Sequence, residues 1–265
     1  MNTVYRTHNL CPQSHQTHSS RDLFNAQRAA EVNEDLCDQL ISDVSIYGVT
    51  EEFAKRSLGL VSRNDLADYL EGVLQDPQRL GEIAERSYYH PNGFLKLQLK
   101  ITSNVKVRLH YWAESLGSAE ENVHNHRWRL ASKVMHGQLH SEVFEEAEET
   151  LKGSAEELTL RLYRKDIGDH AATGEAIGDV HVRQSASITR YEGEAYAMDT
   201  DQLHRIKHHH GQATVTLMVQ SAPLHKDNHM LSRKNVQNPQ LNPLCLEDGM
   251  TLKPLLNELI GILRD

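Results

Sequence analysis

The amino-acid sequence predicts a mainly β protein, a barrel or two-sheet jelly roll with a helical region before it and one helix after it. Two observations support this fold class. Apolar residues recur with a helical period between about residues 22 and 85, and they alternate with polar residues from Phe94 onward. The alternating runs follow one another without intervening helices, which favours antiparallel sheets over β-α-β units.

Two apolar stripes predict helices in the first part of the chain. One stripe contains Leu36, Leu40, Ile41 and Val44, and the other contains Leu66, Tyr69, Leu70, Val73 and Leu74. Ser62, followed by Asp65, is typical of a helix N-terminus. Pro77 suits the first turn of a further short helix. At the other end, Pro254 is expected in the first turn of a closing amphipathic helix.

Seven short runs with a two-residue period predict the strands. In the first of them, leucines alternate with lysine and glutamine, as in a half-buried strand. The runs cover 94–101, 106–112, 133–144, 158–164, 179–184, 187–191 and 213–221. The acidic stretch 145–157 is expected to be a solvated excursion between two strands.

No internal repeat or linker divides the 265 residues, which contain 38% hydrophobic and 25% charged residues, as an ordinary globular protein does. The expected organisation has four parts. They are a polar tail over 1–20, a helical region packed on the barrel over 21–90, the β-barrel over 91–224, and an extension with a helix over 225–265.

Composition also excludes several classes of function. The net charge is -9 and no block of Lys and Arg is present, so nucleic acid is not an expected partner. Cys11, Cys37 and Cys245 lie far apart, which indicates a reducing compartment and neither a disulfide scaffold nor a zinc finger. The N-terminus lacks the apolar core of a signal peptide, and no window approaches the ~18 to 20 apolar residues of a membrane span. The cytoplasm is the expected location.

Two histidines one residue apart, His124 and His126, form the first candidate for chemistry. With 17 histidines in the chain, about one such pair is expected by chance, so a second signal is required. Residues i and i+2 of a strand face the same side, so both rings can point into a barrel. A histidine from another strand would complete one face of a metal coordination shell. The candidate for this third ligand is His204.

These segments resemble the two sequence motifs of the cupins. The spacing of His124, His126 and Gly137 is similar to that of the first motif, and the spacing of Gly193 and His204 is similar to that of the second. The resemblance implies a cupin-type jelly-roll barrel that binds a metal.

The chain departs from the first cupin motif at one ligand position, and this indicates which branch of the cupins it resembles. Leu130 stands where most cupins carry a glutamate ligand. The remaining three-histidine set resembles the cysteine dioxygenase branch of the cupins, and the similarity covers roughly residues 94–224. That branch has an N-terminal helical region and binds Fe(II) through three histidines. The resemblance also implies a homodimer, because cupins commonly pair their barrels through edge strands.

The residues that make that branch act on cysteine are not found here. No cysteine lies near Leu130, where many members form a Cys–Tyr crosslink, and Met218 and Gln220 replace a histidine and a tyrosine on the last barrel strand. The 94–101 strand carries no arginine for a substrate carboxylate. We therefore expect the metal site to carry over and the substrate to differ from cysteine.

Further side chains are candidates for catalysis or substrate binding, although each also has a structural explanation in the core, at the rim or in a turn. The catalytic candidates are Tyr191 and His208. The substrate-binding candidates are Arg108, Arg127, Trp128 and Arg129. An inward-facing guanidinium could bind a carboxylate of the substrate. Which face of the strand around Arg108 points inward is open at this point.

Three hypotheses of function follow. The first is a mononuclear non-haem Fe(II)-dependent oxygenase that uses O2 and acts on a small anionic molecule, because three neutral histidines leave the metal with a net positive charge. The second is a cupin that uses zinc, manganese or nickel as a Lewis acid for isomerase, lyase or hydrolase chemistry, since imidazoles alone do not select iron. The third is a non-catalytic cupin that binds a small molecule.

Overall fold

The structure is a computed structural model that describes residues 35–90, 92–115, 121–147, 157–167, 172–208, 211–233, 244–246 and 249–265. The part of the chain from Asp35 to Asp265 forms one unit. None of the helices in the described ranges is long and apolar enough to cross a membrane. The predicted polar tail over 1–20 lies outside the described residues, and the predicted domain boundaries stay predictions.

The helices of the described residues lie at the two ends of the chain. They are α1 (Leu36–Tyr47), α2 (Glu51–Arg56), α3 (Arg63–Gln75), α4 (Pro77–Arg86) and α5 (Gly249–Arg264), with a 3-10 turn at Leu58–Leu60. The α3 cap is as predicted: the Ser62 hydroxyl accepts from the Asp65 backbone N–H at 3.1 Å, and the Asp65 carboxylate accepts from the Ser62 N–H at 2.7 Å. Pro77 occupies the first turn of α4.

The final helix differs from the prediction. It begins at Gly249, so Pro254 lies inside the helix and not in its first turn. Proline has no backbone N–H, which removes the helical hydrogen bond to the carbonyl of Met250. The helix continues because one side of it packs on the core, where Leu252, Leu256 and Leu259 are fully buried.

The described strands form two antiparallel sheets. They are β1 (Tyr88–His90), β2 (Phe94–Ile101), β3 (Val105–Trp112), β4 (Val123–His124), β5 (Leu130–His136), β6 (Gln138–Glu146), β7 (Glu157–Ile167), β8 (Ala172–Tyr191), β9 (Ala195–Met198), β10 (Leu203–Lys207), β11 (Thr214–Ser221), β12 (Asn228–Ser232) and β13 (Leu244–Cys245). The first sheet has the order β13-β1-β2-β3-β11-β5-β9. The second has the order β10-β4-β12-β7-β8-β6 and closes through the pairing of β6 with β10. The predicted fold class is confirmed in its architecture: a mainly β protein of two antiparallel sheets with helices at both ends.

Two of the predicted strand bounds are wrong. The run 133–144 is two strands, β5 and β6, because the chain turns at Gly137, which has a φ of 76°. A Cβ atom at this position would lie 2.3 Å from the Ala213 carbonyl oxygen, so only glycine fits. The runs 179–184 and 187–191 are parts of one strand, β8. Glu145 and Glu146 of the predicted acidic excursion end β6, and residues 148–156 lie outside the described residues.

The helices cover one face of the seven-stranded sheet. Leu97, Leu109 and Leu217, from three adjacent strands, are fully buried in the same apolar core as helix residues such as Phe53 and Leu70. Burial of this apolar area is the main stabilising contribution at the interface. The helical region thus closes one side of the sheet and leaves the opposite side to face the second sheet.

A buried lysine also links the helical region to the sheet. The Lys133 ammonium of β5 donates to the carbonyl oxygens of Gly59 at 2.8 Å and Val61 at 2.7 Å, at the end of the 3-10 turn. These bonds give the lysine ammonium two acceptors, and they give the free carbonyls of that turn a donor.

Candidate metal centre

Three histidines meet between the sheets. His124 ends β4, His126 follows two residues later, and His204 lies on β10 directly opposite His124 in the antiparallel register. One ring nitrogen from each residue lies within 4.8 Å of the others. The ring centroids of His124 and His204 are 4.6 Å apart, and His126 lies 5.0 Å from each of them. The structure therefore brings together the three residues that the two motifs single out.

The backbone around His126 differs from the expected strand. β4 ends at His124, and the next residue, Asn125, pairs with another segment: its Oδ1 accepts from the His229 N–H at 2.6 Å, and its own N–H donates to the His229 carbonyl at 3.1 Å. The His126 N–H donates to the Thr200 carbonyl at 3.3 Å. His126 is thus positioned by hydrogen bonds to two separate segments.

Backbone carbonyls orient two of the three rings. The Nδ1 atom of His124 lies 2.8 Å from the Asn122 carbonyl oxygen, and Nδ1 of His204 lies 3.1 Å from the Gln202 carbonyl oxygen. A carbonyl oxygen only accepts hydrogen bonds, so each Nδ1 carries the proton. The lone pair of each ring is then on Nε2, and such contacts fix the tautomer and the orientation of metal-binding histidines.

The electrostatic environment keeps two of the three rings, His126 and His204, neutral. Burial lowers the pKa of His126 well below its ordinary value, and the neighbouring His124 and His204 lower it further. Burial lowers the pKa of His204 to about 3, with His124 contributing in the same direction. Neutral imidazoles with free lone pairs suit zinc, copper, iron or nickel. The donor set therefore fits a divalent metal ion bound by three histidines.

The cluster lines a cavity of about 290 Å3 that both sheets enclose. On β3, Arg108, His110 and Trp112 line this cavity, which identifies the inward face of that strand. On β2, Phe94 and Lys96 line it as well. Sequence reasoning named Arg108 and missed the role of His110, although both lie on the same face of one strand.

Arg108 is buried without a partner. Its residue surface is 4% exposed, and it makes no hydrogen bond or ion pair with any residue in the described ranges. Burial lowers the pKa of its guanidinium to about 10, which leaves it charged at neutral pH. Its guanidinium carbon lies 5.5 Å from the ring centroid of Trp128. The Nε2 atom of His110 is also buried without a partner, and burial lowers the pKa of this imidazole well below its ordinary value.

Glu121 is a carboxylate in the cavity wall that sequence reasoning missed. It is 5% exposed; its Oε1 accepts from the Asn92 side-chain amide at 3.0 Å and its Oε2 from the Ile206 backbone N–H at 2.7 Å. Burial raises its pKa, although the nearby His124 and the two hydrogen bonds act in the opposite direction. Since Ile206 is two residues after His204, Glu121 ties the segment of the histidine pair to the strand of the third histidine.

The arginines that flank the histidine pair do not enter the cavity lining. Arg127 donates to the Lys226 carbonyl at 3.1 Å, and its guanidinium carbon lies 5.4 Å from the ring centroid of Trp128. Arg129 pairs with Asp199 at 3.1 Å on the surface. Trp128, in contrast, lines the cavity and stacks on His126 with ring centroids 5.6 Å apart. Substrate contact from Arg127 or Arg129 therefore has no support from this geometry.

The two catalytic candidates also lie outside the cavity lining. Tyr191 is 60% exposed at the end of β8, so its hydroxyl is on the surface. His208 stacks against Trp112 with ring centroids 6.4 Å apart and is not among the residues that line the cavity. Met218 lines the cavity, whereas Gln220 is buried outside its lining.

No protein-family model matches the chain, and no curated protein does. Among solved structures, it aligns with a DMSP lyase structure at 14% identity, covering 51% of this chain and 51% of that chain with a TM-score of 0.29. It aligns with hydroquinone 1,2-dioxygenase from Sphingomonas sp. TTNP3 at 10% identity, covering 47% and 63%, with a TM-score of 0.29. It aligns with the 11S globulin from Wrightia tinctoria at 12% identity, covering 57% and 29%, with a TM-score of 0.27. This chain thus spans less than two thirds of each of these proteins, and TM-scores this low support no assignment of function.

Proposed function

We propose that this protein is a mononuclear non-haem Fe(II)-dependent oxygenase that acts on a small anionic molecule. One observation carries the proposal: His124, His126 and His204 present ring nitrogens within 4.8 Å of one another in the wall of a cavity, and burial lowers the pKa of His126 and of His204, so these two rings are neutral. Such a cluster of neutral donors beside enclosed space is what a mononuclear metal enzyme requires.

In this proposal the three histidines hold the metal through Nε2 for His124 and His204, whose Nδ1 atoms face backbone carbonyls. Three protein ligands leave coordination positions for other molecules. Bound Fe(II) would supply the one-electron chemistry that reaction with O2 requires. The protein's part is to fix the ligand geometry and to limit the access of bulk water, to which the burial of His204 contributes.

The charge of the cavity favours an anionic substrate. Lys96 and Arg108 are cationic, and Glu121 is the one carboxylate among the described residues of the lining. A divalent ion on neutral histidines would add further positive charge. A carboxylate, thiolate or enolate would therefore be attracted into the cavity.

Iron is favoured by the three-histidine set without a glutamate ligand, which resembles that of the cysteine dioxygenase branch. Leu130, in the glutamate position, packs in an apolar cluster with Trp112 and Tyr196 and offers no ligand atom. Imidazole donors also bind zinc, nickel or manganese, so Lewis-acid chemistry is the alternative that the experiment must separate from oxygenation. The homodimer, like the cytoplasmic location, stays a prediction.

The test is metal content by mass spectrometry on untagged protein, for wild type, His204→Ala and the control His140→Ala. His140 is a strand histidine whose Nδ1 contacts the Thr189 hydroxyl at 2.9 Å, outside the cavity lining. We expect near-stoichiometric iron in wild type and control and its loss in His204→Ala. Oxygen uptake with small carboxylates and thiols then tests the reaction. Trace metal in all three proteins would overturn the proposal; stoichiometric zinc without oxygen uptake would leave the Lewis-acid and the non-catalytic alternatives.

A further inference from the structure

We infer that the substrate is a small aromatic monocarboxylate, with its carboxylate on Arg108 and its ring against Phe94 and Trp112. The inference rests on the proposed function for the reaction, and it names the substrate class of that same site. Four features of the cavity wall support it: an unpartnered guanidinium, an engaged carboxylate, a group of aromatic rings and a neutral histidine.

The first feature is the missing partner of Arg108. An ionised group that is buried without a counter-charge costs several kcal/mol, and this guanidinium stays protonated because its pKa is about 10. The Trp128 ring, 5.5 Å away, contacts a guanidinium through its π-electrons and accepts none of its in-plane hydrogen bonds. A bound carboxylate would satisfy the N–H groups in pairs, because its two oxygens match the planar fork of arginine.

The second feature is the absence, among the described residues of the lining, of a free carboxylate that could pair with an ammonium group. Both oxygens of Glu121 already accept hydrogen bonds, from Asn92 at 3.0 Å and from Ile206 at 2.7 Å. An amino acid would bring three N–H donors and a positive charge into a wall that contains Lys96 and Arg108. The cavity therefore disfavours a zwitterion such as cysteine and fits an anion without an amine.

The third feature is the aromatic wall. Five of the 24 lining residues are Phe, Trp or Tyr, in a chain that contains 6% of these residues, and both tryptophans of the chain are among them. The Phe94 ring centroid lies 4.8 Å from that of Trp112 and 4.8 Å from that of His110. Aromatic side chains often simply fill a core, but these border open space of about 290 Å3. Edge-on or offset contact with a further ring adds about 0.5–1.5 kcal/mol beyond the area buried.

The fourth feature sets the charge on the rest of the molecule. His110 lies two residues from Arg108 on the same strand face, and its buried Nε2 has no partner. Burial, with Lys96 and Arg108 nearby, lowers the pKa of this imidazole, so it is neutral at physiological pH. A neutral imidazole forms a hydrogen bond with a hydroxyl group and offers no charge to a second carboxylate. A monocarboxylate with a hydroxyl on its ring would satisfy both Arg108 and His110.

The experiment is calorimetric titration of metal-loaded protein with benzoate, 3-hydroxybenzoate, cyclohexanecarboxylate and cysteine. We expect the two aromatic acids to bind about 2- to 10-fold more tightly than cyclohexanecarboxylate, and also more tightly than cysteine. Arg108→Met should weaken them by about 10- to 100-fold, as loss of hydrogen bonds to a charged group does. Arg127→Met is the matched control, because Arg127 contacts the same Trp128 ring from outside the cavity lining, and it should leave binding unchanged.

Tighter binding of cysteine or of the cyclohexane acid, or equal binding by Arg108→Met, would overturn the inference. Arg108→Lys keeps the positive charge and loses the planar guanidinium. It should bind the aromatic acids more weakly than wild type does. It replaces Arg108→Met in the test if the Met variant unfolds at a low temperature. Metal content is measured on the same samples. Bound metal with no binding of an aromatic acid would reject the substrate class and leave the metal enzyme standing, whereas absent metal would reject the proposed function itself.

Discussion

Strand β3 has two buried faces that differ in how completely their atoms are partnered. The face toward the helices consists of Val107, Leu109 and Tyr111, and the face toward the cavity consists of Arg108, His110 and Trp112. All six residues are more than nine-tenths buried. On the helix side the apolar atoms pack against other apolar atoms, so nothing further is needed.

On the cavity side, nitrogen atoms of Arg108 and His110 are buried without hydrogen bonds. Buried polar groups in native proteins are nearly always satisfied, so unsatisfied ones require an explanation. The comparison shows that burial alone does not distinguish a core from a binding site. What distinguishes them is whether the buried polar atoms have hydrogen-bond partners. On the cavity face they do not, and a ligand would supply the partner.

The largest effect on stability is expected from a substitution on the face of β3 that packs against the helices. Leu109→Ala should lower the free energy of unfolding by about 2–5 kcal/mol, because it leaves a void in a fully packed core. Chemical denaturation of the metal-free proteins measures this loss. Metal content and carboxylate binding of the folded variant should match wild type. If they fall with the stability, the two faces of the strand are not independent.

A smaller effect, on metal binding, is expected from substitution of Glu121, whose carboxylate links the segment of His124 and His126 to the strand of His204. Glu121→Ala removes the acceptor for the Ile206 N–H and should weaken metal binding by about 10- to 100-fold, as loss of an outer-shell contact does. Glu121→Gln keeps one acceptor oxygen and should recover part of the affinity. Competition with a chelator gives the affinities, and Glu145→Ala on the surface is the control. Unchanged affinity in Glu121→Ala would show that the strand pairing alone sets the ligand distance.

The smallest effect on stability is expected at Arg108, despite its burial. Arg108→Met should raise the free energy of unfolding of the ligand-free protein by about 1 kcal/mol, because an unpaired buried charge is replaced by an apolar side chain. Thermal and chemical unfolding of wild type, Arg108→Met and Arg127→Met provide the measurement. A loss of more than about 1 kcal/mol in the first variant alone would mean that Arg108 supports the fold.

Local pattern was sufficient to predict much of the fold. The strand at 94–101 has the predicted bounds because one of its faces is apolar and the other is mixed. The cap of α3 was predictable because Ser62 and Asp65 act within a single turn. The division at Gly137 was missed because alternation continues through it, and only the contact with Ala213, distant in sequence, shows why the chain must turn there.

The three candidate metal ligands could be predicted because the spacing of histidines and glycines in the sequence indicates them. His124, His126 and His204 meet because His124 pairs with His204 across neighbouring strands and His126 follows His124 by two residues. The roles of Glu121 and His110 depend on which hydrogen bonds form across the barrel, and no local pattern records this. For the same reason the exposed position of Tyr191 at the end of β8 could not be inferred from the local sequence.

The turn at Gly137 bears on any attempt to transplant this metal centre into another barrel. The 2.3 Å approach to the Ala213 carbonyl means that this glycine and the entry of β11 form one steric unit. The Thr214 hydroxyl, which donates to the Gln138 carbonyl at 2.9 Å, belongs to the same unit. Moving the histidine-containing segments alone would omit these contacts between the entry of β11 and the turn from β5 to β6. A transplanted metal centre must therefore include the backbone around Gly137 and the entry of β11, although neither segment carries a ligand.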